Sequence, residues 1–324
     1  MEPFSLDWLS DTYRLGRIDG AAIVARGQSN PLGVMRVRSE WGEYGVKQYP
    51  EPPRATALAV EAAAFQAGFP MPAPVYTVNG SRVADCLNQG RTTWVLVYAW
   101  VDGEPYDWHT VDPHVSELVG ALLARLHHTP IDANVLGEEL WSPLGRVGWG
   151  EFAAQAEDSR VEWAPLLAEK VSALVAWEDF IQAHMVHDEP PAPSQRDLHP
   201  PNVIRCATGG HAVVDWDAAG PAIAREEVAK YAFVWATDEA GSVSPSAVQA
   251  FIAGYRAAGG HYASRGVADL MQGKSSLLDW IAYNVRRHIQ DQPGPNPWLP
   301  PALLSGVQTP DIEEMERLAR MLNV

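Results

Sequence analysis

The stretch SQRDLHPPNVI, residues Ser194–Ile204, carries the strongest functional signal in the sequence. It places Asp197 and Asn202 around two prolines and before an apolar exit, and Asp215 follows 13 residues after Asn202. Aspartate and asparagine beside proline usually form turns, so neither residue is informative alone. With Asp215 they provide three oxygen-bearing side chains, and hard cations such as Mg²⁺ prefer oxygen ligands. One aspartate with Asn202 can hold Mg²⁺, and the other can accept a proton from a hydroxyl group or orient it.

The first hundred residues have the pattern of a small β-sheet with one helix. Residues 18–49 contain alternating apolar segments separated by turn residues, and 75–78 and 93–100 also have strand character. Residues 54–67 are rich in alanine and end at a glycine, which predicts a helix.

The remainder of the chain is predicted to be mainly helical. The exception is a hairpin with strands 203–206 and 212–215, joined by a Thr-Gly-Gly turn. This change of pattern predicts an α+β fold of two lobes, a β-rich lobe over 1–101 and a helical lobe over 102–324. The predicted helices of the second lobe cover residues 115–126, 162–184, 225–237, 244–258, 263–290 and 310–322.

Composition limits the classes of partner. The chain has 24 basic and 40 acidic residues and a net charge of −16. This charge disfavours nucleic acid and anionic membranes, because both are bound through basic contacts. No apolar stretch approaches the length of a membrane span. The only two cysteines, Cys86 and Cys206, lack metal-like spacing, which predicts a reducing, cytoplasmic environment.

Two segments resemble a known family when they are taken together. RDLHPPN, residues 196–202, followed by VVDWD, residues 213–217, resembles the catalytic loop and metal-binding segment of the aminoglycoside phosphotransferase and choline kinase family. In that family the segments commonly read His-Gly-Asp-Leu-His-Pro-Gly-Asn and Ile-Asp-Trp-Glu. Gln195, Arg196 and Pro201 replace the commoner His, Gly and Gly.

The resemblance implies a fold and a reaction. The expected fold is the bilobal protein-kinase-like fold, and the expected reaction transfers the γ-phosphate of ATP or GTP to a hydroxyl of a small molecule. By the same resemblance, Asp197 is the base or hydroxyl-orienting residue, and Asn202 and Asp215 hold Mg²⁺. Asp217 is a weaker candidate for contact with the substrate or the metal.

The first lobe contains counterparts of the family's nucleotide-binding residues. Lys47 resembles the strand lysine that reaches the nucleotide phosphates, and Glu61 is the only acid in the helix predicted over 54–67. The resemblance implies that these two residues form an ion pair. The loop GQSNPLG, residues 27–33, resembles the family's phosphate-covering loop, so Ser29 and Asn30 are expected near the phosphates.

The strand WVLVYAW, residues 94–100, resembles the hinge strand that contacts adenine in this family. Tyr98 and Trp100 are therefore expected to flank the nucleotide base, and core packing is the alternative for at least one of them.

The helical C-terminal part, where such kinases form the acceptor pocket, is where the resemblance is thinnest. Trp280, Tyr283 and Arg287 are the candidate acceptor residues there. Aromatic and acidic walls suit an amino sugar or another cationic antibiotic, whereas arginines suit an anionic or sugar-like acceptor. The net charge favours the first.

Three functions remain open on the sequence. The first is an antibiotic-modifying kinase, acting on an aminoglycoside or another antibiotic in resistance or self-protection. The second is a metabolic kinase of choline, homoserine, an amino sugar or a similar compound. The third is a pseudokinase, which is disfavoured because the lysine, the helix acid, Asp197, Asn202 and Asp215 are all present. The oligomeric state is not predicted.

Overall fold

A computed structural model describes residues 4–25, 33–88, 90–136, 147–186, 188–290 and 299–323. The chain forms two compact units, each made of two segments. The first unit contains Met1–Asp107 and Pro200–Ala219, and the second contains Trp108–His199 and Gly220–Val324. No helix in the described part of the chain has the length and apolar character needed to cross a membrane.

The first unit contains an antiparallel sheet whose strands follow the order β1-β2-β3-β6-β4, with β5 also paired to β6. The strands are β1 Ile18–Ala25, β2 Val34–Ser39, β3 Gly42–Tyr49, β4 Pro74–Val75, β5 Ala84–Asn88 and β6 Arg91–Ala99. The predicted β character of 18–49 and 93–100 is confirmed, but only two residues of the predicted strand 75–78 are in a strand.

Two helices accompany this sheet, α1 Leu6–Tyr13 and α2 Ala55–Gln66. The first was not predicted; it is capped by Ser5, whose side chain accepts from the N–H of Trp8. Leu9 and Tyr13 are four residues apart on one face and are buried in the apolar core of the sheet. The Tyr13 hydroxyl also donates to the backbone carbonyl of Val95 at 2.7 Å, so it reaches β6.

A later part of the chain joins the first unit through a second sheet. It consists of β7 Gly103–Pro105, β9 Val203–Cys206 and β10 His211–Val213, in the order β10-β9-β7. The predicted hairpin is present, but its second strand ends at Val213 and leaves Asp215 in the irregular segment that follows. The predicted boundary at residue 101 cuts the chain only once, so it does not account for residues 200–219, which belong to the first unit. The predicted domain division stays a prediction.

The second unit is mostly helical. Its helices are α3 Pro113–His127, α4 Ala133–Leu136, α5 Trp149–Asp158, α6 Ala164–His184, α7 Ala224–Val234, α8 Pro245–Ala257, α9 Met271–Ile289, α10 Leu299–Ser305 and α11 Ile312–Met321. Two short strands, β8 Ala192–Ser194 and β11 Gly220–Ala222, pair antiparallel. The 3-10 turn Gly266–Leu270 precedes α9 and splits the single helix predicted over 263–290. The α+β prediction is confirmed.

The N-terminal end of α7 is fixed by a buried ion pair. The guanidinium of Arg225 contacts the carboxylate of Asp269, and Asp269 is fully buried. The same carboxylate accepts from the Tyr262 hydroxyl at 3.0 Å, the Ser264 hydroxyl at 2.9 Å and the N–H of Arg265 at 2.9 Å. A buried charge is tolerated when its hydrogen-bonding capacity is satisfied in this way.

Helices α3 and α8 pack against each other through two glycines. A Cβ atom on Gly120 would lie 2.0 Å from the carbonyl oxygen of Phe251, and one on Gly254 would lie 1.9 Å from that of Glu117. Both distances are far below van der Waals contact, and the facing atoms belong to the backbone. These two helices therefore approach as closely as they do because neither glycine has a side chain.

The substitution Gly254→Ala should destabilise the protein, because the new methyl group forces α3 and α8 apart. Overpacking of this kind costs about 1–3 kcal/mol, so thermal unfolding followed by circular dichroism should show a lower Tm. Gly150→Ala on α5 is the matched control, since its Cβ would meet no heavy atom within 4 Å. The close packing would be contradicted if both variants kept the Tm of the unaltered protein.

Candidate active site

The loop that carries Asp197 is held by hydrogen bonds from its own side chains. The Ser194 hydroxyl accepts from the N–H of Arg196 at 2.9 Å, and the Gln195 side-chain oxygen accepts from the N–H of Asp197 at 2.8 Å. The carbonyl of Asp197 in turn accepts from the N–H of His199 at 2.7 Å. Gln195 is fully buried. Its departure from the commoner family residue thus has a structural role, because its amide fixes the backbone of Asp197.

Arg196 connects this loop to β11. Its φ is 64°, in the left-handed region that costs a non-glycine residue about 1 kcal/mol or more. Its guanidinium Nε donates to the carbonyl of Pro221 at 2.8 Å. A Cβ on Gly220 would lie 2.6 Å from the guanidinium carbon, so the arginine fills the space beside that glycine. The hydrogen bond to the Pro221 carbonyl holds the buried Arg196 in this conformation.

Helix α7 and its C-cap support the loop from one side. Tyr231 and Trp235 are four residues apart and therefore lie on the same face. The Trp235 indole N–H donates to the carbonyl of Leu198 at 2.9 Å. The ring of Tyr231 meets the ring of His199 edge-on, with 5.8 Å between centroids. The backbone and a side chain of the loop are thus both in contact with this helix.

Glu227, one turn before Tyr231, extends the same support. Its carboxylate lies 3.0 Å from Nε2 of His127 on α3, and Nδ1 of His127 lies 2.9 Å from the Tyr255 hydroxyl. Burial raises the pKa of Glu227, but the hydrogen bond and charge of His127, with a hydrogen bond from Ser194, hold that pKa below its ordinary value. The glutamate therefore also reaches Ser194, the first residue of the loop.

The Asp197 side chain is both held and accessible. His199 Nδ1 is hydrogen-bonded to its carboxylate, and the Asp197 side chain keeps 40% of its surface exposed. The His199 ring is itself in contact with the ring of Trp108, at 5.1 Å between centroids. A carboxylate with this support can accept a hydrogen bond from an approaching hydroxyl group.

In the first unit, the ammonium of Lys47 lies between two aspartates. Its Nζ is 2.7 Å from an oxygen of Asp215 and 2.7 Å from an oxygen of Asp217. Tyr49, two residues further along β3 and therefore on the same face, donates its hydroxyl to Asp217 at 2.7 Å. Arg54 donates to the backbone carbonyls of Asp217 and Ala219 at 3.1 and 3.0 Å. The segment after β10 is thereby fixed to β3.

Asn202 and Asp215 are neighbours in the first unit. The N–H of Val214 donates to the carbonyl of Asn202 at 2.9 Å, and Asp215 follows with a left-handed φ of 60°. Burial raises the pKa of Asp215, but the Lys47 ammonium outweighs it, so the pKa lies below its ordinary value. The outcome for Asp217 is the opposite. Burial and the negative charge of Asp215 raise its pKa, and the opposing effect of the Lys47 ammonium does not compensate for them, so the pKa lies above its ordinary value. Asp215 is therefore the more acidic of the two and, with Asn202, a suitable oxygen donor for a hard cation.

The predicted Lys47–Glu61 ion pair is not formed in this structure. Lys47 pairs with the two aspartates, and the buried carboxylate of Glu61 lies 3.2 Å from the guanidinium of Arg82. Arg82 also donates to the carbonyl of Val97 at 3.0 Å and lies 4.2 Å over the ring of Tyr98. The sequence analysis missed Arg82, because it lies in an irregular segment before β5. A buried acid needs a cationic partner, and this requirement alone indicated that a residue such as Arg82 must lie beside Glu61.

A model of the Phosphotransferase enzyme family matches residues 2–265 of the chain. The chain belongs to that family. As a member it is a small-molecule kinase, which confirms the predicted class of enzyme. No curated protein sequence matches the chain.

Solved structures with low sequence identity show the same fold over nearly the whole phosphotransferase chain. A spectinomycin phosphotransferase in complex with ADP and spectinomycin matches with a TM-score of 0.71 and 15% identity, over 99% of this chain and 100% of its own. An amicoumacin kinase bound to AMP-PNP and Ca²⁺ matches with a TM-score of 0.64 and 15% identity, over 98% and 90%. A microcompartment-associated aminopropanol kinase matches with 0.60 and 14%, over 98% and 92%. The predicted kinase-like α+β fold is confirmed.

The other residues predicted to contact the nucleotide lie in different parts of this phosphotransferase, and two of them fall outside the described residues. Tyr98 lies on β6, and burial raises its pKa well above the ordinary value. Together with Glu61 and Asp217 it lines a cavity of about 250 Å³ in the first unit. Trp100 follows β6, and its indole N–H donates to Asp102 at 3.1 Å. Ser29 and Asn30 lie outside the described residues.

The predicted acceptor residues share one stretch of α9. The rings of Trp280 and Tyr283 stack with 5.7 Å between centroids, and the guanidinium of Arg287 lies 5.9 Å from the ring of Tyr283. Tyr283 is 41% exposed. These three residues therefore form an accessible aromatic and cationic surface at helical spacing.

Replacing Arg82 should reveal the cost of an unpaired buried acid. Arg82→Met leaves the Glu61 carboxylate without its cation, and breaking a buried pair costs about 3–5 kcal/mol. Chemical denaturation should show this loss, and the double variant Glu61→Gln/Arg82→Met should recover most of it.

The exposed pair of Arg38 and Asp19 in the same sheet provides the control. Arg38→Met should cost less than about 1 kcal/mol, as exposed ion pairs do. Equal losses for the two arginine variants would contradict the assignment of Arg82 as the partner of Glu61.

Proposed function

We propose that this chain is a Mg²⁺-dependent kinase that transfers the γ-phosphate of ATP or GTP to a hydroxyl group of a small molecule. One observation supports it above all. The ammonium of Lys47 lies 2.7 Å from Asp215, and the residue before Asp215 is bonded to the backbone of Asn202. A cation, a carboxylate and an amide brought together in this way are what phosphoryl transfer uses to hold a metal-bound nucleotide.

The first unit supplies the residues proposed for the donor. Asn202 and Asp215 would hold Mg²⁺, which neutralises charge on the phosphate oxygens when it is bound. The described residues contain no group of three or more His, Cys, Asp or Glu side chains arranged around a metal position. Magnesium does not require such a group, because it usually retains waters and uses phosphate oxygens. Lys47 is proposed to bind the phosphates, and Ser29 and Asn30 to cover them.

The proposed nucleotide is ATP, with GTP as the alternative. Similar solved structures contain ADP or AMP-PNP, which favours an adenine nucleotide. Tyr98 and Trp100 remain proposed neighbours of the base. Glu61 is proposed to act through Arg82, with which it is paired in the structure, rather than as the direct partner of Lys47.

The second unit supplies the residue proposed to act on the acceptor. Asp197 is half-exposed and its carboxylate is hydrogen-bonded to His199. We assign Asp197 the role of orienting the acceptor hydroxyl and accepting its proton, and His199 the role of positioning that carboxylate. Phosphoryl transfer depends mainly on positioning and on charge stabilisation, so no covalent intermediate is required.

The proposed acceptor carries both a hydroxyl and a cationic amine. The leading candidate is an aminoglycoside or another antibiotic, which would make the protein a resistance or self-protection enzyme. It is favoured by the net charge of −16 and by the similarity to spectinomycin and amicoumacin kinases. A metabolic kinase of an amino alcohol or sugar is the second candidate, favoured by the similarity to an aminopropanol kinase. Trp280, Tyr283 and Arg287 are proposed to contact the acceptor.

The proposed reaction can be tested with purified protein, Mg²⁺ and ATP or GTP. ADP or GDP release should rise with at least one compound from a panel of aminoglycosides, spectinomycin, amicoumacin, aminopropanol, choline, homoserine and amino sugars. Asp197→Ala should abolish that release and keep nucleotide affinity, because it removes only the hydroxyl-orienting carboxylate. Undiminished turnover by this variant would rule out the mechanism.

Asp215 and Asp217 should differ in how strongly each contributes to binding of the Mg²⁺-nucleotide complex. Asp215→Ala should lower the affinity for the Mg²⁺-nucleotide complex on the order of 10-fold or more, because a metal ligand is lost. Calorimetric titration with and without Mg²⁺ measures this effect. In Asp217→Ala the dependence on Mg²⁺ should persist. Loss of that dependence in the second variant alone would reverse the two assignments.

A further inference from the structure

Lys230 on α7 is a half-buried lysine close to the carboxylate proposed to act on the acceptor. Its Nζ lies 4.9 Å from the ring centre of Tyr231. The Tyr231 ring contacts the ring of His199, and His199 is bonded to the Asp197 carboxylate. The stem of Lys230 is bordered by Gly273 of α9, where a Cβ would lie 3.9 Å from the lysine Cγ. The ammonium of Lys230 is thus connected to the Asp197 loop through the ring of Tyr231, and the Asp197 carboxylate acts on it electrostatically.

The ammonium of Lys230 has no hydrogen bond and no ion pair among the residues that the structure describes. Lys47 and Lys170, by contrast, both lie within ion-pair distance of carboxylates. Burial lowers the pKa of Lys230, and the carboxylates of Glu227 and Asp197 only partly oppose this effect. A half-buried cation without a direct partner is unfavourable unless an anion comes to it.

The nearby acids do not explain this lysine by themselves. Glu227 is already hydrogen-bonded to His127, and Asp197 is already hydrogen-bonded to His199. Lys230 makes no direct contact with either carboxylate, so both acids are satisfied in another way. What the lysine adds is a positive charge near Asp197 that is available to a third group.

In the proposed reaction such a group arrives beside Asp197. The acceptor oxygen held by that carboxylate forms a bond to the γ-phosphorus, the bond from phosphorus to the bridging oxygen breaks, and the nucleoside diphosphate leaves. The hydroxyl proton passes to Asp197. During this exchange the three remaining oxygens of the phosphoryl group carry negative charge, and a cation near them lowers the barrier.

We propose that Lys230 binds the phosphoryl group during its transfer to the acceptor hydroxyl. The inference rests on the proposed function and adds a catalytic residue to it. Lys230 acts from the same unit as Asp197, so the charge and the orienting carboxylate share one support, helix α7. Lys230 would add a cation on the acceptor side to Lys47, which is proposed to bind the nucleotide phosphates and lies beside Asp215 and Asp217.

The substitution Lys230→Met tests this role, with Lys274→Met as its matched control. Like Lys230, Lys274 lies over an aromatic ring, 5.2 Å from that of Trp177, and its pKa is also lowered by burial. It faces Glu314 rather than Asp197. Both variants remove one half-buried ammonium from the second unit, so their comparison isolates the position next to Asp197.

Steady-state kinetics with an acceptor found in the panel, or with water as acceptor in slow ATP hydrolysis, gives the first readout. Lys230→Met should lower kcat roughly 100-fold or more, as expected for loss of one group that stabilises transition-state charge. KM for nucleotide and acceptor should change little, and Lys230→Arg should restore part of kcat. Lys274→Met should keep the kcat of the unaltered protein.

Binding of ADP with aluminium fluoride, a mimic of the phosphoryl group in transfer, gives a second readout independent of turnover. Fluoride and aluminium should tighten ADP binding in the unaltered protein and in Lys274→Met, and this gain should be lost in Lys230→Met. ADP alone should bind all three proteins equally. Thermal unfolding of each variant shows that it is folded, and Lys230→Arg serves as the folded reference if the methionine variant is not.

Several results would overturn the assignment. They are an unchanged kcat in Lys230→Met, equal losses in the two methionine variants, or a raised acceptor KM with unchanged kcat. The last result would move Lys230 to acceptor binding. If the unaltered protein is active and Lys230→Met is equally active, only the lysine assignment fails. If the unaltered protein transfers phosphate to no acceptor, water included, the proposed function itself fails and the assignment fails with it.

Discussion

The ammonium of Lys47 organises the first unit of this protein. Two carboxylates share it at 2.7 Å, and the segment that carries them is consequently attached to β3. The same charge makes Asp215 more acidic, whereas Asp217 is less acidic than an ordinary aspartate. Two acids only two residues apart thus have different chemical properties, and this difference arises from one lysine and its surroundings.

In the second unit, helix α7 holds the Asp197 loop in place, as Lys47 holds the segment with Asp215 and Asp217 in the first unit. Glu227, Tyr231 and Trp235 follow each other at intervals of four residues, and each supports a different part of the Asp197 loop or its beginning. The buried pair of Arg225 and Asp269 fixes this helix at its first turn. A loop rich in proline and polar residues is therefore held by α7, by its own side chains and by β11.

The sequence allowed the loop and the hairpin to be predicted from local patterns, and the kinase-like fold from the resemblance that those motifs carry. SQRDLHPPNVI and VVDWD combine residue types at fixed spacing, and strands such as 93–100 follow from apolar runs. The partner of Glu61 could not be predicted in the same way. Both Lys47 and Arg82 could provide the cation that a buried carboxylate needs, and the structure pairs Glu61 with Arg82 and Lys47 with Asp215 and Asp217. The short α1 was missed because eight residues give too little periodicity.

The departures from the common family motif also became interpretable only with the structure. Gln195 and Arg196 look like neutral variation in the sequence, yet one holds the Asp197 N–H and the other binds the carbonyl of Pro221. Pro201 lies in the 3-10 turn Pro200–Asn202, and nothing in the structure explains its presence in place of glycine.

The left-handed Arg196 and the side-chain-free Gly220 have a consequence for how this protein can change over time. The guanidinium carbon lies 2.6 Å from where a Cβ at position 220 would be, so a larger residue there would force the Arg196 side chain to move. A glycine at 196 would relieve the backbone strain but would leave the Pro221 carbonyl without its buried donor. Single substitutions at either site are therefore unfavourable, while paired ones can be tolerated. Positions 196 and 220 are therefore expected to covary among related sequences.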